Sequence, residues 1–165
     1  MDKKQIRPGW DEYFLEIARV VAKRSSCLRK QVGAVIVQNK DIISTGYNGA
    51  PSFQQNSLEY GFCFRDKNNI KSGTNLELCR AVGSHAESNA IVLAARNGHS
   101  TADSTIYVYG HEFICNMCKA MIANAFIRRV VLQRPDGTVD EFIPEVDWTV
   151  HPVDMAPSPE KVIER

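Results

Sequence analysis

Val32-Gly33-Ala34-Val35-Ile36-Val37, followed by Gln38-Asn39-Lys40 and then Asp41-Ile42-Ile43-Ser44-Thr45-Gly46-Tyr47, decides the fold. Both flanking runs are rich in β-branched residues and the polar triplet between them is a turn, so the stretch reads as a β-hairpin. The first run is apolar at successive positions, hence on both faces of a strand, which fits a central strand covered above and below. Working outward, Phe14, Ile17, Ala18 and Val21 recur at helical spacing and predict an amphipathic helix over residues 10 to 25. On the other side the spacing predicts a helix over 84 to 97, a strand Thr105 to Tyr109, a helix Cys115 to Ala125, a strand Arg128 to Leu132 and a short strand Val139 to Ile143 after the Asp136-Gly137 turn.

The resulting order, α-β-β-(loop)-α-β-α-β, predicts an α/β fold in which a mixed sheet carries helices on its faces. The 165 residues suit one domain. Residues 48 to 83 break the pattern with Asn, Gly, Ser, charges and two cysteines, too long a stretch for an ordinary connection. They read as a loop-rich insertion, either functional or stapled by metal. From about 144 onward, Pro144, Pro152, Pro157 and Pro159 predict an irregular tail.

Composition narrows the function. The chain is 44% hydrophobic and 24% charged, as globular proteins are, and its formal charge of +1 lacks the positive excess that many phosphate contacts demand. A small substrate is favoured over a nucleic acid. No stretch reaches the roughly 20 apolar residues of a membrane span, and the opening Met1-Asp2-Lys3-Lys4-Gln5 lacks a signal-peptide core, so a cytoplasmic protein is expected. Five cysteines in a reducing compartment suggest metal binding or catalysis more than a disulfide framework.

His85-Ala86-Glu87 and Cys115-Asn116-Met117-Cys118 carry the chemistry. Taken alone, a C-x-x-C pair fits a structural zinc half-site, a redox couple or two buried small residues, and a lone His-x-Glu fits a helix start. Together, each at a predicted helix start with one strand between, they supply an imidazole and two thiolates for a zinc ion with a fourth position left for water. H-x-E with a later P-C-x-x-C is the signature of zinc deaminases. Glu87 is then free to act as a general acid and base. His111 is not needed as a ligand.

These motifs resemble the cytidine deaminase superfamily. The segment Arg24 to Val37, with Ile42 to Pro51 and Ala90 to Gly98, is similar more specifically to deoxycytidylate deaminases over about residues 10 to 133. The resemblance implies a three-layer α-β-α fold on a roughly five-stranded sheet, and zinc-dependent conversion of dCMP to dUMP and ammonia, which feeds thymidylate synthesis. By matching position it implies that His85, Cys115 and Cys118 hold zinc, that Glu87 shuttles protons, that Gly33, Ala34 and Ala86 form a backbone wall for the pyrimidine, and that Asn48 contacts the sugar. For Gly33 a bulge or tight packing, and for Asn48 a simple turn, stay open. Arg29 and Lys30 are candidate cations for the 5′-phosphate, with Arg29 preferred and a solvated helix end the ordinary alternative.

Relatives further imply a homohexamer switched by dCTP and dTTP, for which Arg96 is a candidate effector contact or else a salt-bridge partner. Some carry a structural zinc using a cysteine placed like Cys27. Cys27, Cys63 and Cys79 are therefore either a second metal site lacking an identified fourth ligand or three separately buried cysteines. One departure stands out: Tyr107 to Ile114 is about two residues longer than the usual strand-to-helix loop, and Ile114 replaces proline. Deamination of deoxycytidine, dCTP or tRNA adenosine, and a noncatalytic structural-zinc module, remain the competing functions.

Overall fold

The computed structural model describes residues 7–71 and 73–150. Helix α1 (Trp10–Ala22) leads to the hairpin β1 (Gly33–Gln38) and β2 (Asp41–Tyr47). Among its described residues the insertion holds α2 (Ser57–Tyr60), α3 (Phe64–Lys67) and a 3-10 turn, Leu76–Leu78. Then follow α4 (Ala86–Arg96), β3 (Thr105–Tyr109), α5 (Asn116–Asn124), β4 (Arg129–Gln133), β5 (Val139–Phe142) and α6 (Pro144–Asp147). The strands form one mixed sheet in the order β2-β1-β3-β4-β5, with β3 and β4 parallel across α5 and the other neighbours antiparallel.

The expected hairpin closes through two residues. Gln38 pairs with Asp41, and Asn39 and Lys40 take φ of 52° and 71°. Positive φ at both central positions belongs to the turn type whose twist matches a right-twisted strand pair. Strand β1 lies between β2 and β3, and its apolar run is shared between two cores. Val35 and Val37 join Phe14, Leu15, Ala18, Tyr107 and Val131 under α1. Ala34 and Ile36 join Ala86, Ala90, Ile106, Val108, Cys118, Ile122, Val130 and Leu132 under α4 and α5. Each fully buried Ile or Val stabilises by about 1.5–3 kcal/mol relative to exposure. The three layers are thus α1, sheet, and α4 with α5.

Two strand glycines set how closely the helices approach. A Cβ on Gly33 would strike the Ala18 carbonyl of α1, and one on Gly46 would strike the Ala86 carbonyl and Ala90 amide of α4. Helix α1 stops at Ala22, short of the expected residue 25, because the Lys23 amide turns back to the carbonyls of Val20 and Val21. The Ser25 hydroxyl then donates to the Asn48 carbonyl at 2.8 Å and accepts from the Cys27 amide at 3.1 Å, taking the chain off the helix axis. The tail expectation also needs correction at its start. Pro144 opens the one-turn α6, where its missing N–H costs nothing, and Asp147 Oδ2 accepts from the Ile143 amide at 2.6 Å. The rest of the expected irregular tail, beyond residue 150, lies outside the described residues.

The insertion is organised by arginines in place of a hydrophobic core. Arg65 is 6% exposed and its Nη2 donates to the carbonyls of Lys71 (2.8 Å) and Thr74 (2.7 Å). Arg29 reaches in from the segment before β1, pairing with Asp66 at 2.5 Å and donating to the Ile70 carbonyl at 3.1 Å. Asn56 and Glu59 form a capping box on α2.

Candidate metal centre and active site

His85 and Cys115 are the N-cap residues of α4 and α5, both with extended backbone. Extended geometry at a cap turns the side chain out over the first turn, where helix amides and the dipole favour anionic groups. Cys118, fully buried, stands in the first turn of α5, and its amide donates to Cys115 Sγ at 3.5 Å. The two helices pack on one sheet face, so the half-sites meet. His85 Nδ1 lies 3.4 Å from Cys115 Sγ and 3.5 Å from Cys118 Sγ.

The spacing suits zinc. Tetrahedral bonds of about 2.1 Å to nitrogen and about 2.3 Å to sulfur leave the donors about 3.6 Å apart. All three donor atoms lie within 4.8 Å of one another, and this is the one such His/Cys/Asp/Glu cluster among the described residues. The thiols are also primed. Cys115 is pushed down, chiefly by its interaction with Cys118, while that interaction and burial push Cys118 up. A cation between the sulfurs would favour both as thiolates. His85 is raised, first by its contact with Cys115.

Glu87, in the first turn of α4, is 5% exposed. Burial raises its carboxyl above the ordinary glutamate range, and the nearby Cys115 thiolate adds to the rise. Its carboxyl also interacts with Cys118, the buried ligand candidate. It stands beside the cluster without belonging to it. Ala86 and Ala34 are fully buried on the same side of the sheet.

The other sequence candidates fall in two groups. Asn48 is buried near the start of β1, where its Oδ1 accepts from the Val32 amide and its Nδ2 donates to the Lys30 carbonyl, both at 2.9 Å. Gly33 presents its missing side chain to α1. The need for glycine there is therefore tight helix packing, one of the alternatives left open above. Arg29 is tied to the insertion, and Arg96 is exposed in the last turn of α4. Cys27, Cys63 and Cys79 all line one small cavity of about 30 Å³ with Arg29, Arg65 and Arg80, but they do not gather as closely as the first cluster does. His111 stacks edge-on against Phe113 at 4.8 Å and lies outside the cluster. Ile114, which replaces the expected proline, is buried in the core under α4 and α5.

Some positioning residues carry no sequence signal of their own. Asn89 Nδ2 donates to the Tyr47 carbonyl at 2.7 Å and to Ser84 Oγ at 3.0 Å, fastening the first turns of α4 to the end of β2. Gly46 could have been suspected, since a glycine inside a strand often marks a close backbone approach.

A three-layer α-β-α sheet with His, Cys, Cys donors at two helix starts and an unliganded buried glutamate defines a zinc-dependent hydrolytic centre. Comparison with known proteins gives the family. The model for the cytidine and deoxycytidylate deaminase zinc-binding region matches residues 8–134, and the chain belongs to that family. It is similar to the deoxycytidylate deaminase of Mycobacterium phage D29, at 38% identity over 76% of this chain and 94% of that protein. The Schizosaccharomyces pombe deoxycytidylate deaminase is 35% identical over 79% of this chain, which spans only 39% of the yeast protein. Among solved structures, the cyanophage S-TIM5 dCMP deaminase in complex with dCMP and dUMP superposes with a TM-score of 0.58, at 28% identity, covering 79% of this chain and 85% of that one. No helix among the described residues is long and apolar enough to cross a membrane.

Proposed function

We propose that the protein hydrolyses dCMP to dUMP and ammonia with a zinc ion at His85, Cys115 and Cys118. The observation that carries this is Glu87: a buried carboxyl with a raised pKa, two residues after the imidazole in the first turn of α4 and outside the ligand set. A purely structural zinc has no use for it. Zinc held there would supply Lewis-acid activation of water. Glu87 accepts the first proton of that water and delivers it to a ring nitrogen of the pyrimidine, then takes the second from the hydroxyl added to the ring and passes it to the departing amine. Water's oxygen thus replaces the amino nitrogen, and protons balance through one carboxyl.

The backbone of Gly33, Ala34 and Ala86 forms the wall against the ring. The Asn48 amide has two donors and two lone pairs; one of each holds the Lys30–Val32 backbone and the other of each is assigned to the sugar. The 5′-phosphate is assigned to the Arg29-Lys30 step, a cytoplasmic setting to the enzyme, and a homohexamer regulated by dCTP and dTTP through Arg96 to its assembly. A structural metal at Cys27, Cys63 and Cys79 is supported by their shared cavity. Two zinc ions per chain, one lost in Cys63→Ser, are expected; one per chain would reject that second site.

The test is ammonia release over cytosine, deoxycytidine, CMP, dCMP, dCTP and adenine compounds, with Glu87→Gln as the blank. dCMP as the preferred substrate is expected. Preference for deoxycytidine, dCTP or an adenine compound would replace the assignment, and no release from any would favour a noncatalytic module.

A further inference from the structure

Lys30 and Glu112, 82 residues apart, form an ion pair between the segment entering β1 and the lengthened loop that ends at Cys115. The two segments are in close contact, since the Gln31 carbonyl lies against Gly110 where a side chain would stand. Both charged side chains are partly exposed, 40% and 52%, so the pair is open to solvent. Glu112 lies three residues before a zinc-ligand candidate, and the carbonyl of Lys30 is held by the Asn48 amide. The pair therefore bridges the segment held by the candidate sugar contact Asn48 and the loop that leads to the ligand candidate Cys115, the side on which a substrate inserted base-first would leave its phosphate.

Arg29 is less available. It is committed to Asp66 and the Ile70 carbonyl, and withdrawing it would unhook the insertion. Lys30 holds only a partly exposed carboxylate, and such pairs are weak, about two- to five-fold in an equilibrium constant. A phosphate dianion is a stronger partner for a point-charge ammonium than a carboxylate is.

Resting on the deaminase reading above, we infer that Lys30 receives the substrate's 5′-phosphate and that Glu112 is its resident counter-ion, which a phosphate must displace. Glu112 then stays near the bound phosphate as a like charge. Its repulsion grows with each added phosphate group, so the lengthened loop sets selectivity for phosphate number. The loop's departure from the family pattern acquires a role in which proline is irrelevant and the acidic residue matters.

The experiment compares kcat/KM for deoxycytidine, dCMP and dCTP in the zinc-loaded protein and in Lys30→Gln, Glu112→Gln and Arg29→Ala, together with calorimetric binding of dUMP and deoxyuridine. Lys30→Gln is expected to lower kcat/KM for dCMP and affinity for dUMP about 10- to 100-fold, the range for a hydrogen bond to a charged group, with deoxycytidine and deoxyuridine unchanged. Glu112→Gln is expected to raise kcat/KM for dCMP about two- to five-fold, and for dCTP by more, through KM alone. Equal effects of Lys30→Gln on phosphorylated and unphosphorylated ligands, or none, would overturn the inference. So would a Glu112→Gln variant with unchanged or weakened dCMP use, or a phosphate-selective loss confined to Arg29→Ala. If the wild-type protein releases no ammonia yet binds dUMP through Lys30, the deaminase reading fails and this one stands; if it deaminates dCMP and ignores Lys30, the reverse holds.

Discussion

The metal centre and the insertion both gather side chains from distant parts of the chain, but they do so by different physics. The centre borrows its rigidity. His85, Glu87, Cys115 and Cys118 stand at the starts of two helices laid on a buried sheet, so their positions follow from packing that would exist without them. Among its described residues the insertion has no strand, two one-turn α-helices, and a buried arginine whose donors reach the Lys71 and Thr74 carbonyls. Its order depends on polar contacts that must all be made at once. A core of apolar side chains tolerates small displacements, whereas a carbonyl that loses its donor is left with the whole cost of desolvation. Chemistry that must repeat accurately is thus placed on the sheet, and the loop-built region is left to tune access.

The sharpest way to break that contrast is at Glu87. Glu87→Gln should retain zinc and fold normally while losing about 10²- to 10⁴-fold in kcat, the usual contribution of a positioned acid and base; near wild-type turnover at full metal occupancy would show that the buried carboxyl is only structural. Next comes the support beneath it. Gly46→Ala forces a Cβ against the Ala86 carbonyl and Ala90 amide, and should destabilise by about 1–3 kcal/mol, read as a lower denaturant midpoint, with turnover falling as α4 shifts. Arg65→Met should act more locally. Amide exchange should accelerate in residues 48–83 with global stability lowered by about 1 kcal/mol and kcat for dCMP little changed; a matching loss of protection in α4 would mean that the two regions unfold together.

The smallest effect is one of pH, on the far face of the sheet. The Arg129 guanidinium, at 2.8 Å through both oxygens, holds the Asp11 carboxyl below its ordinary value, and Tyr107 adds a hydrogen bond at 2.8 Å. A depressed folded-state value means stability that is fully present above the unfolded value of about 3.9 and is lost as pH falls through the lower folded one. Asp11→Asn should therefore narrow the gap in stability between neutral and acid solution, by at most about 1 kcal/mol because the carboxylate is half exposed. A gap identical to wild type would remove the pair from the stability of α1.

Strands β1 to β5 were legible nearly to the residue because short apolar, β-branched runs bounded by turn residues are written into local sequence, as in Thr105 to Tyr109, whose three middle residues are all buried. The ligand set was legible from spacing, since helix starts bring i and i+3 residues together. Lys30 with Glu112 was not, because an ion pair across 82 residues leaves no local pattern. Nor was the order within the insertion: Arg65 looks like any surface cation until its carbonyl partners are known. For Gly33 the choice between bulge, packing and pyrimidine wall was not legible, since a glycine in a strand does not announce which face its neighbour occupies.

Gly46 stands opposite Ala34 across the hairpin, and both face α4. The distance from the sheet to the helix that carries His85 and Glu87 is thereby set by a hydrogen atom on one side and a methyl group on the other. Active-site depth in this protein is a manufactured tolerance, fixed by the smallest side chains available. It can be widened by a single carbon at position 46 without altering His85, Glu87, Cys115 or Cys118.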